Sequence, residues 1–148
     1  MKTMTRGAMV LAMAVGLSAC GGDASPPRWA GTYRGPITHS GRCDDGSALP
    51  TVTTETVGAF AFVDGRVTWL DICGGTAVAI AHGNTAAVVP YACPTETSAI
   101  GTLTSEVTGG TLFIDGDTLE MTVYETVIGT GQYRGRCTAT LSATLTRQ

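Results

Sequence analysis

The stretch YRGRCTATLSATLT, residues 133–146, decides the fold class of this chain of 148 residues. Its residues alternate between two kinds, with Cys137, Leu141 and Leu145 in the apolar set and threonine, serine or arginine between them. Successive side chains of a β-strand point to opposite faces, so a period of two gives one apolar and one polar face. The stretch therefore predicts a long antiparallel strand that packs on one side and meets water on the other.

From Trp29 onward the sequence predicts strands and turns, because no window of about 11 or more residues shows the periodicity of a helix. Leu119, Met121 and Val123 share one face of a second clear strand, and Glu125 interrupts that face, which predicts a position near a rim. The dipeptide at residues 64–65, Asp-Gly between two apolar runs, is a strong hairpin signal. The predicted strands cover residues 29–38, 51–63, 66–72, 76–82, 85–90, 97–108, 111–115, 117–128 and 131–146.

Short loops between these strands predict an antiparallel meander of about eight or nine strands. Such a sheet has two edges to protect, and closure into a barrel removes both. Gly31-Thr-Tyr-Arg-Gly35 in the first strand is echoed by Gly131-Gln-Tyr-Arg-Gly135 in the last, as expected if the two strands meet at one seam. We therefore predict an all-β fold that forms a small closed barrel, with a two-sheet sandwich as the alternative that the same pattern allows.

The first twenty residues form a separate unit with the features of a secretory leader. Lys2 and Arg6 precede an apolar run over residues 8–17, which is too short to span a membrane. Leu17-Ser-Ala-Cys20 closes this run and resembles the lipobox of bacterial lipoproteins, in which the leader is cut before a cysteine that carries a diacylglycerol. The resemblance implies a cleaved signal peptide over residues 1–19, a lipidated Cys20 with a short flexible tether over 20–28, and a single β-domain over 29–148.

The five cysteines support this division. If Cys20 carries lipid, four remain, an even number that suits two disulfides in an oxidising compartment. A zinc site is the rival use of four cysteines, but their wide spacing contains no C-x-x-C pair. Counting strands up and down the meander places Cys73 and Cys93 in loops at the same end, so we predict the disulfides Cys73–Cys93 and Cys43–Cys137.

The charge of the predicted mature chain excludes one class of partner. Residues 20–148 hold seven arginines, no lysine and twelve acidic residues, a net charge of −5. An acidic domain offers no surface for nucleic acid and no polybasic segment to bind anionic lipid, so membrane attachment should depend on the acyl chains at Cys20.

In enterobacteria-like lipoproteins an aspartate after the lipidated cysteine retains the protein in the inner membrane. Gly21 occupies that place here, so the resemblance implies the outer membrane of the cell envelope.

The sequence offers little for catalysis. The two histidines, His39 and His82, stand in no metal-binding or nucleophile motif. Asp71 and Glu125 could form a carboxylate pair, but no pattern in the sequence brings them together. We therefore predict no enzymatic activity, no cofactor and no metal site.

Arg34, Arg134 and Arg136 form the one cationic group for which we state a hypothesis. If the first and last strands adjoin, these side chains could cluster on the outer face and bind an anionic partner such as a glycan or a lipid headgroup. The alternative is a set of surface ion pairs with acids such as Glu106 or Glu120, which contribute little to stability.

The start of the domain, Trp29-Ala-Gly-Thr-Tyr-Arg-Gly35, resembles the opening strand of lipocalin-like small barrels. Pro27 departs from that pattern, since lipocalins carry glycine two positions before the tryptophan.

An eight-stranded barrel either fills itself with side chains or holds one small ligand. Two functions follow as hypotheses. The first is a non-enzymatic envelope lipoprotein that binds or scaffolds another envelope protein at the membrane surface. The alternative is a lipocalin-like carrier of a small apolar ligand.

Overall fold

The structure, a computed structural model, describes residues 27–71 and 73–148, apart from the side chain of Tyr133. The predicted signal peptide, the predicted lipidation site Cys20 and most of the predicted tether lie outside the described residues. No helix in the described part of the chain is long and apolar enough to cross a bilayer. The described strands are β1 Gly31–Cys43, β2 Ala48–Val63, β3 Arg66–Leu70, β4 Thr76–His82, β5 Thr85–Val88, β6 Tyr91–Ala92, β7 Glu96–Ser98, β8 Gly101–Asp115, β9 Thr118–Gly129 and β10 Gly135–Arg147, with a 3-10 turn at Gly131–Tyr133.

Eight of these strands close into an antiparallel barrel. The sheet runs in the order β1, β2, β3, β4, β5, β8, β9 and β10, and β10 returns to pair with β1. This seam pairs Tyr33 with Arg147 at one end and Cys43 with Cys137 at the other. Closure through β5 and β8 confirms the predicted barrel over the two-sheet sandwich. The short strands β6 and β7 pair with the first half of β8.

Two of the differences from the predicted strands involve glycine-rich segments. The glycines at 109–110, which separate two predicted strands, lie within the continuous strand β8, just after a β-bulge between Val107 and Gly109. A Cβ atom on Gly110 would overlap the backbone oxygen of Thr122, so glycine is needed there for close approach of β9. Gly131–Tyr133 forms the 3-10 turn, so its echo of residues 31–35 does not mark a shared seam, and the two segments lie at opposite ends of the barrel.

The two ends of the barrel are built differently. The end that we call the closed end carries three tight hairpin turns, at residues 64–65, 83–84 and 116–117. Trp29 packs into this end, where it is 2 % exposed and its Nε1 donates a hydrogen bond of 3.2 Å to the backbone oxygen of Gly83. The opposite end, the open end, carries the longer loops and the disulfides Cys43–Cys137 and Cys73–Cys93. Both predicted disulfide pairings are therefore confirmed.

Large side chains fill the closed half of the barrel. Tyr33, Phe60 and Trp69 form an aromatic row in which the first pair meets edge to face, with centroids 5.4 Å apart, and the second pair stacks at 5.7 Å. Such pairs contribute about 0.5–1.5 kcal/mol beyond their buried area. Toward the open end the inner positions become smaller or polar, with Ala139 on β10 opposite Glu125 on β9. The packed core therefore occupies only part of the barrel length.

The barrel wall is incomplete on one side of the open half. β3 pairs with β2 only over Phe60 to Val63, so residues 48–59 of β2 have β1 as their single strand neighbour in the described chain. β3 stops at Leu70, whereas β1, β9 and β10 continue toward the open end. The interior is therefore accessible between β2 and the end of β3.

Candidate ligand-binding site

A cavity of about 490 Å³ lies beside the incomplete part of the wall. Small-molecule sites usually measure roughly 300–1,000 Å³ and are lined by apolar side chains with a few polar groups. The lining here follows that pattern, since its polar side chains are Thr56 and Asp71. The apolar side chains are Ile37, Val57, Ala59, Phe60, Trp69, Leu70, Met121, Val123, Leu141 and Leu145.

Strand alternation explains why the cavity residues of β1, β9 and β10 face one space. Met121 and Val123 fall on the inner face of β9, and Val123 is directly opposite Leu141 on β10. Gly58 on β2 lies opposite Tyr33 on β1 and also lines the cavity, but it brings no side chain to fill it. The inner faces of the strands therefore leave space beside the aromatic row.

The mouth of the cavity exposes apolar surface. Val57 on β2 is 62 % exposed, and Leu70 at the end of β3 is 76 % exposed, although both line the cavity. These two side chains flank the gap left by the short strand β3. An apolar molecule entering through the gap would cover them and gain hydrophobic burial.

Polar side chains lie between the cavity and the open end. His39 follows the cavity residue Ile37 by two positions on β1, and Glu125 follows the cavity residue Val123 by two positions on β9. The His39 Nε2 atom lies 3.6 Å from Glu125 Oε2, and only 12 % of the Glu125 side chain is exposed. The His39 Nε2 atom is itself buried and has no hydrogen-bond partner among the described residues. A largely buried carboxylate therefore faces an imidazole at a distance too long for a firm hydrogen bond.

Tyr91 adds a buried hydroxyl to this layer. Its strand partner on β8 is Val107, which in turn is opposite Glu125 on β9. The pKa of Tyr91 is raised far above its usual value, first by burial and then by the nearby carboxylates of Asp71 and Glu125. The hydroxyl oxygen makes no hydrogen bond of good geometry in the described chain, so Asp71 is a close neighbour rather than a firm partner. No pattern in the sequence joins Asp71 and Glu125, yet both raise the pKa of this one hydroxyl.

Asp71, Cys73 and Cys93 place three potential metal-ligand atoms within 4.8 Å of one another. The two cysteines are joined in a disulfide, however, and a metal-binding cysteine must be a thiolate. The geometry of this group is therefore explained by the disulfide without a metal ion.

The three arginines singled out in the sequence are exposed but do not form one cluster. Arg34 is paired with Thr146 near the closed end, whereas Arg136 lies ten positions earlier on β10, and Arg134 lies just before it. At about 3.3 Å per residue, ten positions separate Arg34 from Arg136 by roughly 33 Å. The first and last strands do adjoin, but their antiparallel register separates these side chains. The ion pairs in the described chain join Arg147 to Asp117 and His39 to Glu125, so the expected pairs with Glu106 or Glu120 are not formed.

The sequence pattern indicates only some of the polar side chains beside the cavity. Glu125 interrupts an apolar face in the sequence, which predicts a position near a rim, and it lies next to the open end. His39 has the same signal, because it is in phase with the inward residues Tyr33 and Ile37. Tyr91 has no comparable signal, since its strand β6 spans only two residues.

The chain matches no protein-family model, and no curated protein is detectably similar to it. Its class is therefore defined by its own structure. It is a small closed antiparallel β-barrel of eight strands with two disulfides, an architecture consistent with a lipocalin-like fold. Within that class the described residues form a barrel with a packed end and an apolar cavity that opens to the side.

Proposed function

We propose that this protein is a non-enzymatic, lipid-anchored component of the bacterial cell envelope that binds a small apolar molecule in its barrel. The observation that supports this proposal is the cavity of about 490 Å³, with its apolar lining and its exposed apolar mouth. A barrel that serves only as a rigid scaffold has no need for such a space, because filling it would add stability. The cavity therefore favours the carrier function over a purely structural one.

The proposed anchor would orient the cavity relative to the membrane. Trp29 is packed in the closed end, so a lipid on Cys20 would hold this end toward the bilayer. The eight residues between Cys20 and Trp29 reach at most about 30 Å when fully extended. The open end would then face away from the anchoring membrane, where a ligand can arrive from the surrounding compartment.

Analysis of bound small molecules tests the carrier function. The protein is isolated from its own envelope, and mass spectrometry of its lipid extract is compared with that of two variants. Thr56→Trp places a large ring in the cavity, whereas Thr146→Trp makes the same change at an exposed position on β10. We expect a small molecule to accompany the wild type and Thr146→Trp but not Thr56→Trp. Equal extracts from all three proteins would contradict the proposal.

A second candidate function is docking of another envelope protein at the free edge of β2. Residues 48–59 pair on one side with β1, and an exposed strand edge can accept an added strand from a partner. A photocrosslinking residue at Glu55 on this edge, compared with one at Glu120 in the middle of the sheet, tests the idea in whole cells. A protein adduct specific to position 55 would favour docking.

A further inference from the structure

We infer that the ligand is an amphiphile whose alkyl chain occupies the cavity and whose cationic head, such as an ammonium group, binds beside Glu125 at the open end. This inference rests on the carrier function proposed above and adds the chemistry of the head group. It is carried by four polar side chains next to the cavity, which we call the polar collar: His39, Asp71, Tyr91 and Glu125.

The polar collar lies at the right place for a head group. His39 and Glu125 are each one inward position beyond a cavity residue, Ile37 and Val123 respectively, in the direction of the open end. Along β10 the cavity extends from Leu145 to Leu141, four residues or about 13 Å. A ligand with its chain along this length would bring its head to the level of the polar collar.

The polar collar lacks a permanent positive charge and some hydrogen bonds among the described residues, and a ligand could supply both. A charge taken out of water is costly unless an opposite charge or hydrogen bonds compensate for it. The Glu125 side chain is only 12 % exposed, and its carboxylate lies 3.6 Å from His39 Nε2, which is charged only when the imidazole is protonated. Two buried polar atoms in this layer, His39 Nε2 and Tyr91 Oη, make no hydrogen bond among the described residues. An ammonium group would donate hydrogen bonds to the carboxylate and to the phenol oxygen.

The sign of the charge selects a cation over an anion. The polar collar contains two carboxylates, Asp71 and Glu125, and both act on the Tyr91 hydroxyl, as its raised pKa indicates. The arginines that could offset them are elsewhere: Arg147 is at the closed end, and Arg134 and Arg136 are exposed. A carboxylate or phosphate head would therefore meet like charge, which is unfavourable in a partly buried site.

Three ligands that differ only in the head group test the inference. The full lipidated protein is placed in nanodiscs of phosphatidylcholine, and 10-bromodecylamine, 10-bromodecanol and 10-bromodecanoate are added at pH 7.5. Trp69 lines the cavity, so a bromine on the chain should quench its fluorescence, and a Trp69→Phe variant gives the background. Glu125→Gln removes the proposed head-group charge, and Glu120→Gln makes the same change on the outer face of β9.

We expect the amine to bind about tenfold or more tightly than the alcohol, the usual effect of one charge-assisted hydrogen bond, and the carboxylate to bind most weakly. Glu125→Gln should abolish this preference while keeping alcohol binding, and Glu120→Gln should retain the preference. If Glu125→Gln also loses alcohol binding, Asp71→Asn provides the second test and should weaken amine binding alone. Equal binding of all three ligands, or a preference for the carboxylate, would overturn the head-group inference and leave the carrier function standing. No quenching of Trp69 by any of the three would overturn both.

Discussion

Arg147 lies over the ring of Tyr33, with its guanidinium carbon 4.9 Å from the ring centroid. The same guanidinium donates hydrogen bonds to the Tyr33 hydroxyl and to the backbone oxygens of Arg28 and Ala30. Tyr33 is fully buried. The pair therefore ties the last strand of the barrel to the segment before the first strand and completes the closed end.

Truncating this arginine should destabilise the barrel. Arg147→Ala removes the cation–π contact and the guanidinium hydrogen bonds to the Arg28 and Ala30 backbone oxygens, although the Arg28 oxygen keeps the Tyr33 hydroxyl as a donor. We therefore expect a loss of about 2–4 kcal/mol in the free energy of unfolding. Arg147→Lys keeps the charge but not the planar fork, and should recover only part of the loss. Urea unfolding measures both changes. Arg134→Ala, at an exposed position, should change stability by less than about 0.5 kcal/mol. Equal effects at positions 147 and 134 would disprove the role of Arg147.

Stability at alkaline pH should depend on Tyr91. Its pKa is raised in the folded protein, so the protonated hydroxyl is retained on folding while the unfolded chain ionises near pH 10. The contribution of protonated Tyr91 to the free energy of unfolding is therefore fully present below about pH 10. It is lost as the pH rises above that value, because only the unfolded chain ionises there. At pH 11 we expect the free energy of unfolding of the wild type to be about 1.4 kcal/mol lower through Tyr91 than it is at pH 7.

Tyr91→Phe removes that loss. At pH 7 the substitution deletes a buried hydroxyl without a hydrogen-bond partner, so stability should be unchanged or slightly higher. Tyr124→Phe is the control, because Tyr124 is 51 % exposed. Urea unfolding at pH 7 and pH 11 gives the comparison. The same alkaline loss in wild type and Tyr91→Phe would show that the raised pKa has no effect on stability.

The two disulfides should contribute unequally to stability. Cys43 and Cys137 are 94 residues apart in the chain, whereas Cys73 and Cys93 are 20 apart. On the chain-entropy model the longer loop is worth about 4–5 kcal/mol and the shorter about 3 kcal/mol. Thermal unfolding of the two double serine variants measures the difference. A larger loss on removing Cys73–Cys93 would contradict the entropic account.

The close approach of β9 to β8 should require glycine at position 110. A Cβ atom there would overlap the backbone of β9, so Gly110→Ala should cost about 1–3 kcal/mol in stability. Gly75→Ala is the matched control, because a Cβ at Gly75 meets nothing within 4 Å. Chemical denaturation of the two variants separates the local requirement from the general effect of removing a glycine. Similar stabilities would mean that β8 and β9 can move apart without cost.

The sequence was sufficient for the fold class because its strongest signals are local. The alternation over residues 133–146 defines an inner and an outer face without knowledge of any neighbour. The disulfide pairing followed from the same source, since counting alternate turns places Cys73 and Cys93 at one end. The glycines at 109–110 indicate a turn but lie inside β8, because a turn and a close contact between strands both favour glycine, and only the position of β9 distinguishes them.

The candidate site was less predictable because it depends on distances between strands. Glu125 and His39 lie on strands that are separated by β10, and their contact depends on the register of both pairings. The cavity depends on the early end of β3 at Leu70, which the predicted strand 66–72 did not show. The same dependence on register separated Arg34 from Arg136.

Methyl NMR of Met121 tests the central claim most directly. Met121 lines the cavity and is the only methionine after residue 13, so selective 13C-methyl labelling gives one signal from the barrel. We expect this signal to shift in a saturable manner when decanol is added, with nuclear Overhauser contacts to the alkyl chain, and to stay unchanged in Thr56→Trp. A Met121 signal in the wild type that does not respond to decanol, or that responds equally in Thr56→Trp, would contradict ligand binding in the barrel.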